Sequence, residues 1–230
     1  MRHVILDTET TGLEWHQGHR IIEIGCLEVV DRRVTDNRFH KYLNPERAID
    51  IGALEVHGIS SEMLLDQPKF GDIAEDLLAF ITGSELVIHN AVFDTGFLNN
   101  ELSLAGAPVV EVQAVCRVQD TLQLARQLHP GQRNSLDALC KRYGVDNSRR
   151  ALHGAMLDAE ILADVYLLMT GGQSELSFSS VRTEPQIDSE KEDFSERNGN
   201  KLPLEIIRPS KEDLTLHQKW LEILGDDKLW

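Results

Sequence analysis

Val4-Ile5-Leu6-Asp7-Thr8-Glu9-Thr10-Thr11-Gly12, close to the start of the chain, is the stretch around which the rest of the sequence is arranged. The apolar run reads as a buried strand over residues 2 to 7. Side chains alternate along an extended chain, so Asp7 and Glu9 project from one side and Thr8 from the other. Two carboxylates held this close raise each other's pKa or repel, unless a hard cation such as Mg²⁺ or Mn²⁺ lies between them. An isolated pair of this kind is commonly no more than a strand running into a polar turn. A metal site for phosphate chemistry needs further carboxylates and a base at strand or helix ends that can converge on it.

The remaining sequence is long enough to supply them. With 230 residues at 41% apolar content, the chain suits one domain of ordinary size followed by a tail. Cys26, Cys116 and Cys140 are odd in number and set among apolar neighbours, as reduced core residues are, which favours a cytoplasmic location. No charged start with an apolar h-region precedes Val4, and no run of about 18 apolar residues occurs, so neither a signal peptide nor a membrane span is expected. The net charge of −15 argues against gripping nucleic acid through a broad basic surface. Residues 1 to 170 hold 25 acidic and 15 basic groups and residues 171 to 230 hold 13 and 8, so neither part is a basic tail. A polyanionic substrate would have to be held through metal ions or delivered by another protein.

Strands are expected at Arg20 to Val30, at Phe39 to Leu43, and at Glu85 to Ile88. The loop from Gly12 to Gly18, with Trp15 and His16, lies beside the carboxylate pair and is placed to line a site. Phe70, Ile73, Leu77, Leu78 and Ile81 recur at helical spacing, ended by Gly83. After the 85 to 88 strand, His89-Asn90 turns the chain into a helix bearing Phe93, Phe97, Leu98, Leu102 and Leu104, which sets Asp94 just past the strand end. Helical patterns follow at Thr121 to Leu128, Ser135 to Tyr143 and Asp158 to Met169. A meander of strands followed by β-α units predicts an α/β fold, a mixed sheet flanked by helices with functional residues at strand ends.

The remaining carboxylate candidate is Asp158, with His153 five residues earlier in Leu152-His-Gly-Ala-Met-Leu-Asp158. Five residues on a continuous helix rotate a side chain by about 140°, so the two share a site only if His153 stands on a loop leading into the helix. Gly154 makes that bend easy.

Asp7, Glu9, Asp94 and Asp158 together with His153 resemble the DEDDh 3′→5′ exonucleases of the ribonuclease-H-like fold. The segments Val87 to Asp94, Arg133-Asn-Ser-Leu-Asp-Ala-Leu-Cys140 and Leu152 to Asp158 are similar to the proofreading branch that serves bacterial replicative DNA polymerases. The resemblance is dense over residues 3 to 172 and implies a mixed five-stranded sheet. It also implies that the four carboxylates are metal ligands for two divalent ions, Mg²⁺ or Mn²⁺, about 4 Å apart, with His153 as the general base. It brings Glu9 and the backbone of Thr10, Thr11, Gly12 and Leu13 to the terminal nucleotide, and His57 to its phosphate or sugar. Asn90 joins the substrate contacts, and His89 and Asn90 are expected to orient the Asp94 turn by hydrogen bonds. The activity implied is release of 5′-mononucleotides from mismatched DNA primer termini. The competing readings are a stand-alone DEDDh nuclease acting on RNA ends or short oligonucleotides and a non-catalytic linker between clamp and polymerase, although all five catalytic positions are intact.

The tail completes the expectation: an exonuclease domain at 1–172, a flexible Ser- and Glu-rich linker at 173–200, and a polymerase-binding tail at 201–230. Gln173, Leu176 and Phe178 resemble the QxxLxF peptide that enters the sliding (beta) clamp. Ser210 and Asp213 form an N-cap-like pair before a helix carrying Leu214, Trp220, Leu221 and Leu224. With Trp230, those residues are expected to dock on the polymerase's catalytic (alpha) subunit. Some members of the family also bind a small helical (theta-like) subunit, a further candidate partner.

Overall fold

The structure, a computed structural model, describes residues 1–150, 152–171 and 210–224, excluding the side chains of 220–224. The chain falls into two units, Met1–Ser177 and Phe178–Trp230. Gln173, Leu176, Phe178 and Trp230, the linker at 173–200, and the side chains of Trp220, Leu221 and Leu224 lie outside the described residues.

In the first unit, β1 (Arg2–Thr10), β2 (Ile21–Val30), β3 (Arg33–Tyr42), β4 (Glu85–Ile88) and β5 (Arg117–Asp120) form one sheet in the order β3-β2-β1-β4-β5. β2 is antiparallel to both β1 and β3. β4 runs parallel to both β1 and β5. This is the mixed five-stranded sheet that was expected. β1 is central and covered on both faces, which is why Val4, Ile5 and Leu6 form an unbroken apolar run. Val4 and Leu6 pack into a layer with α3 (Phe70–Ile81) and α4 (Ala91–Leu104). Ile5, Leu27 and Val87 pack on the other face with α6 (Leu136–Tyr143) and α7 (Ala155–Gly171). Two short helices, α1 (Ile51–His57) and α2 (Ser61–Leu64), precede α3, and α5 (Thr121–Leu128) follows β5.

The structure departs from the expected boundaries at several points. β1 continues through Thr10, so both carboxylates lie within the strand. β3 starts at Arg33, six residues before the expected Phe39. Its first half is polar and exposed on a sheet edge, and it closes a hairpin through Asp31 and Arg32, both at positive φ (48° and 64°), the backbone of a type I′ turn. α3, by contrast, ends as expected: the Thr82 N–H bonds the Leu78 carbonyl and Gly83, at φ 73°, turns the chain away. α7 starts at Ala155, so Asp158 lies in its first turn and His153 on the lead-in, as the bend requires. In the second unit, α8 (Lys211–Leu224) carries the expected cap: Asp213 N–H donates to Ser210 Oγ at 3.1 Å, and Ser210 N–H to Asp213 Oδ2 at 2.9 Å. Leu214 on this helix is exposed. No helix among the described residues is long and apolar enough to cross a membrane.

One close approach fixes the site. Gly25 on β2 stands opposite Asp7 in the β1 ladder. A Cβ at Gly25 would lie 2.4 Å from the backbone of Ala155 and Met156. The first turn of α7 therefore rests directly on the strand, and only glycine allows it.

Candidate active site

The site forms where the parallel strands β1 and β4 end. Asp7 and Glu9 leave β1 toward the layer of α7, and Thr8 leaves it toward α4, where its hydroxyl donates to Asp94 Oδ1 at 2.7 Å. Asp94 reaches that position because Asn90 adopts a left-handed conformation (φ 68°) that turns β4 directly into α4. His89 and Asn90 fix the turn that leads to Asp94 by hydrogen bonds, as expected. His89 Nδ1 pairs with Thr121 Oγ1 at 3.0 Å and the Asn90 N–H donates to Asp120 Oδ1 at 3.3 Å, which ties this turn to the start of α5. On the other face, Glu23 of β2 is buried beside Glu9, its partner in the ladder, and accepts the Ala155 N–H at 3.1 Å. The lead-in loop is held by the His153 N–H, which donates to the Val56 carbonyl at 3.1 Å.

Glu9, His153 and Asp158 each offer a ligand atom, and these atoms lie within 4.8 Å of one another. Asp7 and Asp94 stand outside that grouping but within its electrostatic reach. Burial, then the fields of Asp94, Asp158 and Glu9, holds the Asp7 carboxyl well above the ordinary carboxylate range. Asp7 keeps some surface toward the cleft but is closely surrounded by protein. Burial, followed by Asp158, Glu23 and Asp94, pushes Glu9 up to about 8, with Arg150 pulling the other way. Asp94 rises to about 7 through burial, against the hydrogen bond from Thr8. Oxygen donors crowded until they resist ionisation are the donor set a hard divalent cation takes, so the residues fit such an ion.

Arg150, three residues before His153, gave no sign of a role in the sequence. Its side chain is 8% exposed. Nε and Nη2 grip Asp158 at 2.5 and 2.7 Å, and Nη1 reaches Asp137 at 2.6 Å. Nη2 also lies 3.0 Å from His153 Nδ1. A guanidinium only donates, so Nδ1 is the acceptor here and a neutral ring carries its proton on Nε2. His153 must leave Arg150 before Nδ1 can take a proton, and with 44% of its side chain exposed it has room to turn. Asp137, inside the Arg133 to Cys140 segment, is thus the outer anchor of this arginine.

Two cavities meet at the cluster. One, of about 410 Å³, is lined by Glu9, Thr10, Gly12, Leu13, His57 and Phe93, among others. His57 Nδ1 accepts the Ile59 N–H at 3.0 Å, so Nε2 carries the ring proton; that buried nitrogen has no hydrogen-bond partner. Burial lowers the pKa of His57, with the Thr10 backbone pulling it up. Thr11, expected to offer its backbone to the nucleotide, is instead buried outside the cavity lining: its hydroxyl meets His19 and the Arg20 N–H, each at 3.0 Å, its N–H donates to the Arg20 carbonyl and its carbonyl accepts the Asp50 N–H. Of the Gly12 to Gly18 loop, Gly12 and Leu13 line this cavity. Trp15 packs over Gly96 of α4, where an added Cβ would lie 2.7 Å from its indole nitrogen. Asn90 lines the second cavity, on the side of His153.

A carboxylate whose pKa rises on folding adds stability below its unfolded value, and that stability is lost as pH climbs through the folded value. For Glu9 the interval runs from the ordinary 4.5 to about 8. With divalent ions chelated, the melting temperature is expected to fall between pH 5 and pH 8, and excess Mg²⁺ or Mn²⁺ to restore it at pH 8 far more than at pH 5. Melting curves at both pH values, with and without metal, test this; equal stabilisation at both would refute it.

Residues 4–166 match the exonuclease family. The chain belongs to that family and is a 3′→5′ exonuclease. Its fold resembles Exonuclease X, solved in complex with 5′ overhanging duplex DNA, with 30% identity, a TM-score of 0.57, and coverage of 75% of this chain and 95% of that one. The Exonuclease I–single-stranded DNA complex from E. coli, at 19% identity and a TM-score of 0.65 over 75% of this chain and 41% of that one, shares the fold. Among curated relatives, DNA polymerase III subunit epsilon of Salmonella typhimurium is 46% identical over 100% of this chain and 97% of its own length. The protein of that name from Rickettsia typhi is also 46% identical, over 96% of each chain. Within the exonucleases, then, this chain belongs to the epsilon subunits of DNA polymerase III, the proofreading exonucleases.

Proposed function

We propose that this chain removes mismatched nucleotides from DNA primer 3′ ends as 5′-monophosphates while bound to a replicative polymerase. The meeting of Glu9, His153 and Asp158, brought from β1 and from both sides of the α7 start, beside a nucleotide-sized cavity carries this reading. Asp7, Glu9, Asp94 and Asp158 would hold two divalent ions, Mg²⁺ or Mn²⁺. When bound, the ions neutralise the phosphate, activate water and stabilise the departing 3′ oxygen. His153 accepts the water's proton, because a committed carboxylate cannot, and its exposed ring can turn from Arg150 to do so. The unpartnered Nε2–H of His57 donates to the phosphate or sugar of the terminal nucleotide. Leu13 and Phe93 give the base an apolar wall, consistent with removal of any nucleotide.

The relatives are subunits of a polymerase, and three segments of this chain fit that setting. Residues 1–172 form the exonuclease domain, 173–200 a linker with Gln173, Leu176 and Phe178 as its clamp peptide, and 201–230 the tail for the alpha subunit. The exposed Leu214 of the capped helix α8 supports the last assignment. Tethering raises the effective concentration of the primer end, so an acidic protein needs little affinity of its own for DNA.

The test compares a mismatched primer-template with short RNA, using Mn²⁺ and the full-length chain with and without His153→Ala. Expected are faster hydrolysis of the mismatched DNA and a loss of about 10²- to 10⁴-fold in the variant. Preference for RNA would overturn the reading in favour of a stand-alone nuclease.

A further inference from the structure

Beyond His153 at its end, the second cavity has been given no part of the substrate. It is a groove of about 630 Å³ lined by His89, Asn90, Arg126, Gln132, Asn134 and Arg150, among others, and it reaches His153. Glu9 lines the nucleotide cavity and His153 lines the groove, and their ligand atoms are within 4.8 Å. The carboxylate cluster therefore lies at the junction of the two. A strand whose last nucleotide fills the first cavity, with its scissile phosphate at the cluster, has the groove as a continuation for its preceding nucleotides.

The chemistry of the groove suits that strand. The chain as a whole carries a charge of −15, yet the segment from Arg117 to Arg150, which supplies most of the groove, holds seven Lys and Arg against three acidic residues. Among the described residues Arg2, Arg20, Arg38 and Arg150 are each paired with a carboxylate, whereas Arg126 is exposed and has no such pair. The lining offers amides, a hydroxyl, two imidazoles and the guanidiniums of Arg126 and Arg150, with its one carboxylate, Asp137, already bonded to Arg150 and no Phe, Tyr or Trp on which a base would stack. Such a surface holds phosphates and sugars without reading sequence.

We propose that this groove is a backbone subsite for the nucleotides immediately 5′ to the scissile phosphate, with Arg126 as its phosphate contact. The proposal rests on the exonuclease reading above. Its test uses the full-length chain with Mg²⁺ and two substrates: the p-nitrophenyl ester of thymidine 5′-monophosphate, which presents the terminal nucleotide alone, and a single-stranded oligothymidylate. In Arg126→Gln the ratio of kcat/KM for oligonucleotide over ester should fall about 5- to 20-fold at low salt, through KM. The slope of log KM against log salt should shrink by about 0.7, as for one lost phosphate contact on a single strand. Arg126→Lys should recover part of both. An unchanged ratio, whether because both substrates suffer equally or because neither does, would overturn the subsite. Failure of the wild-type chain to hydrolyse either substrate would overturn the exonuclease reading, and the subsite with it.

Discussion

Replacing Asp7 with Asn should leave a folded protein that has lost about 10³-fold or more of its kcat, and that melts higher than the wild type at pH 8 when divalent ions are chelated. The two effects have one origin. Asp7 sits among Asp94, Asp158 and Glu9, and its carboxyl is held above the ordinary range because burial and those charges oppose its ionisation. At pH 8 such a carboxyl favours the unfolded chain, where it ionises freely, and an amide of nearly the same shape does not. The same concentration of charge is what recommends the position as a metal ligand. Single-turnover hydrolysis with excess Mg²⁺, set beside melting in chelator, measures both halves. A variant that kept a tenth of the activity, or melted lower at pH 8, would remove Asp7 from the site.

The largest structural effect should come from Gly25→Val, at a residue that touches no substrate. Its Cβ would lie 2.4 Å from the Ala155 backbone, and a helix start cannot yield as a flexible side chain would. The first turn of α7 must lift from β2, breaking the Glu23 contact to the Ala155 N–H and carrying His153 and Asp158 away from Glu9. Overpacking costs about 1–3 kcal/mol, and a clash with backbone falls at the upper end of that range. Denaturant unfolding should show that loss, and hydrolysis should vanish even where the variant remains folded. Gly71→Ala is the matched control: in α3 its Cβ would meet only the Ala105 Cβ at 3.7 Å, so stability should hold or rise by up to about 1 kcal/mol. Full activity in Gly25→Val would mean that α7 can dock without the close approach.

What the sequence disclosed follows the same division between local and distant chemistry. β1, β2 and β4 were legible because a buried strand writes itself as an apolar run, and α3, α5 and α6 because a helix on a sheet repeats its apolar residues at its own period. β5 and the first half of β3 are short or polar edge strands with little apolar alternation, and they were not placed. α1 exposes Ile51, Leu54 and Val56 and so carries no buried stripe to read. The five residues of the DEDDh pattern stood out together through their resemblance to a known family, whereas the Asp7 and Glu9 pair alone suggested no more than a strand and a turn. Thr8, Glu23, Asp137 and Arg150 did not, because their partners lie across the fold: Thr8 bonds a residue 86 positions away, and Glu23 one 132 positions away. Arg150 was the nearest to discovery, three residues before His153, but nothing in an Arg-Arg pair says which one turns inward.

The carboxylates come from both sides of the sheet. Asp94 rises from the layer of α3 and α4, and Asp158 descends from the layer of α6 and α7, with β1 between them. Neither half of the domain holds the whole cluster, and its last member is not synthesised until residue 158. If the proposed carboxylates are the ligands, hydrolytic competence is a logical conjunction over the whole domain: a nascent or half-unfolded chain should be inert, and only the completed fold able to cut.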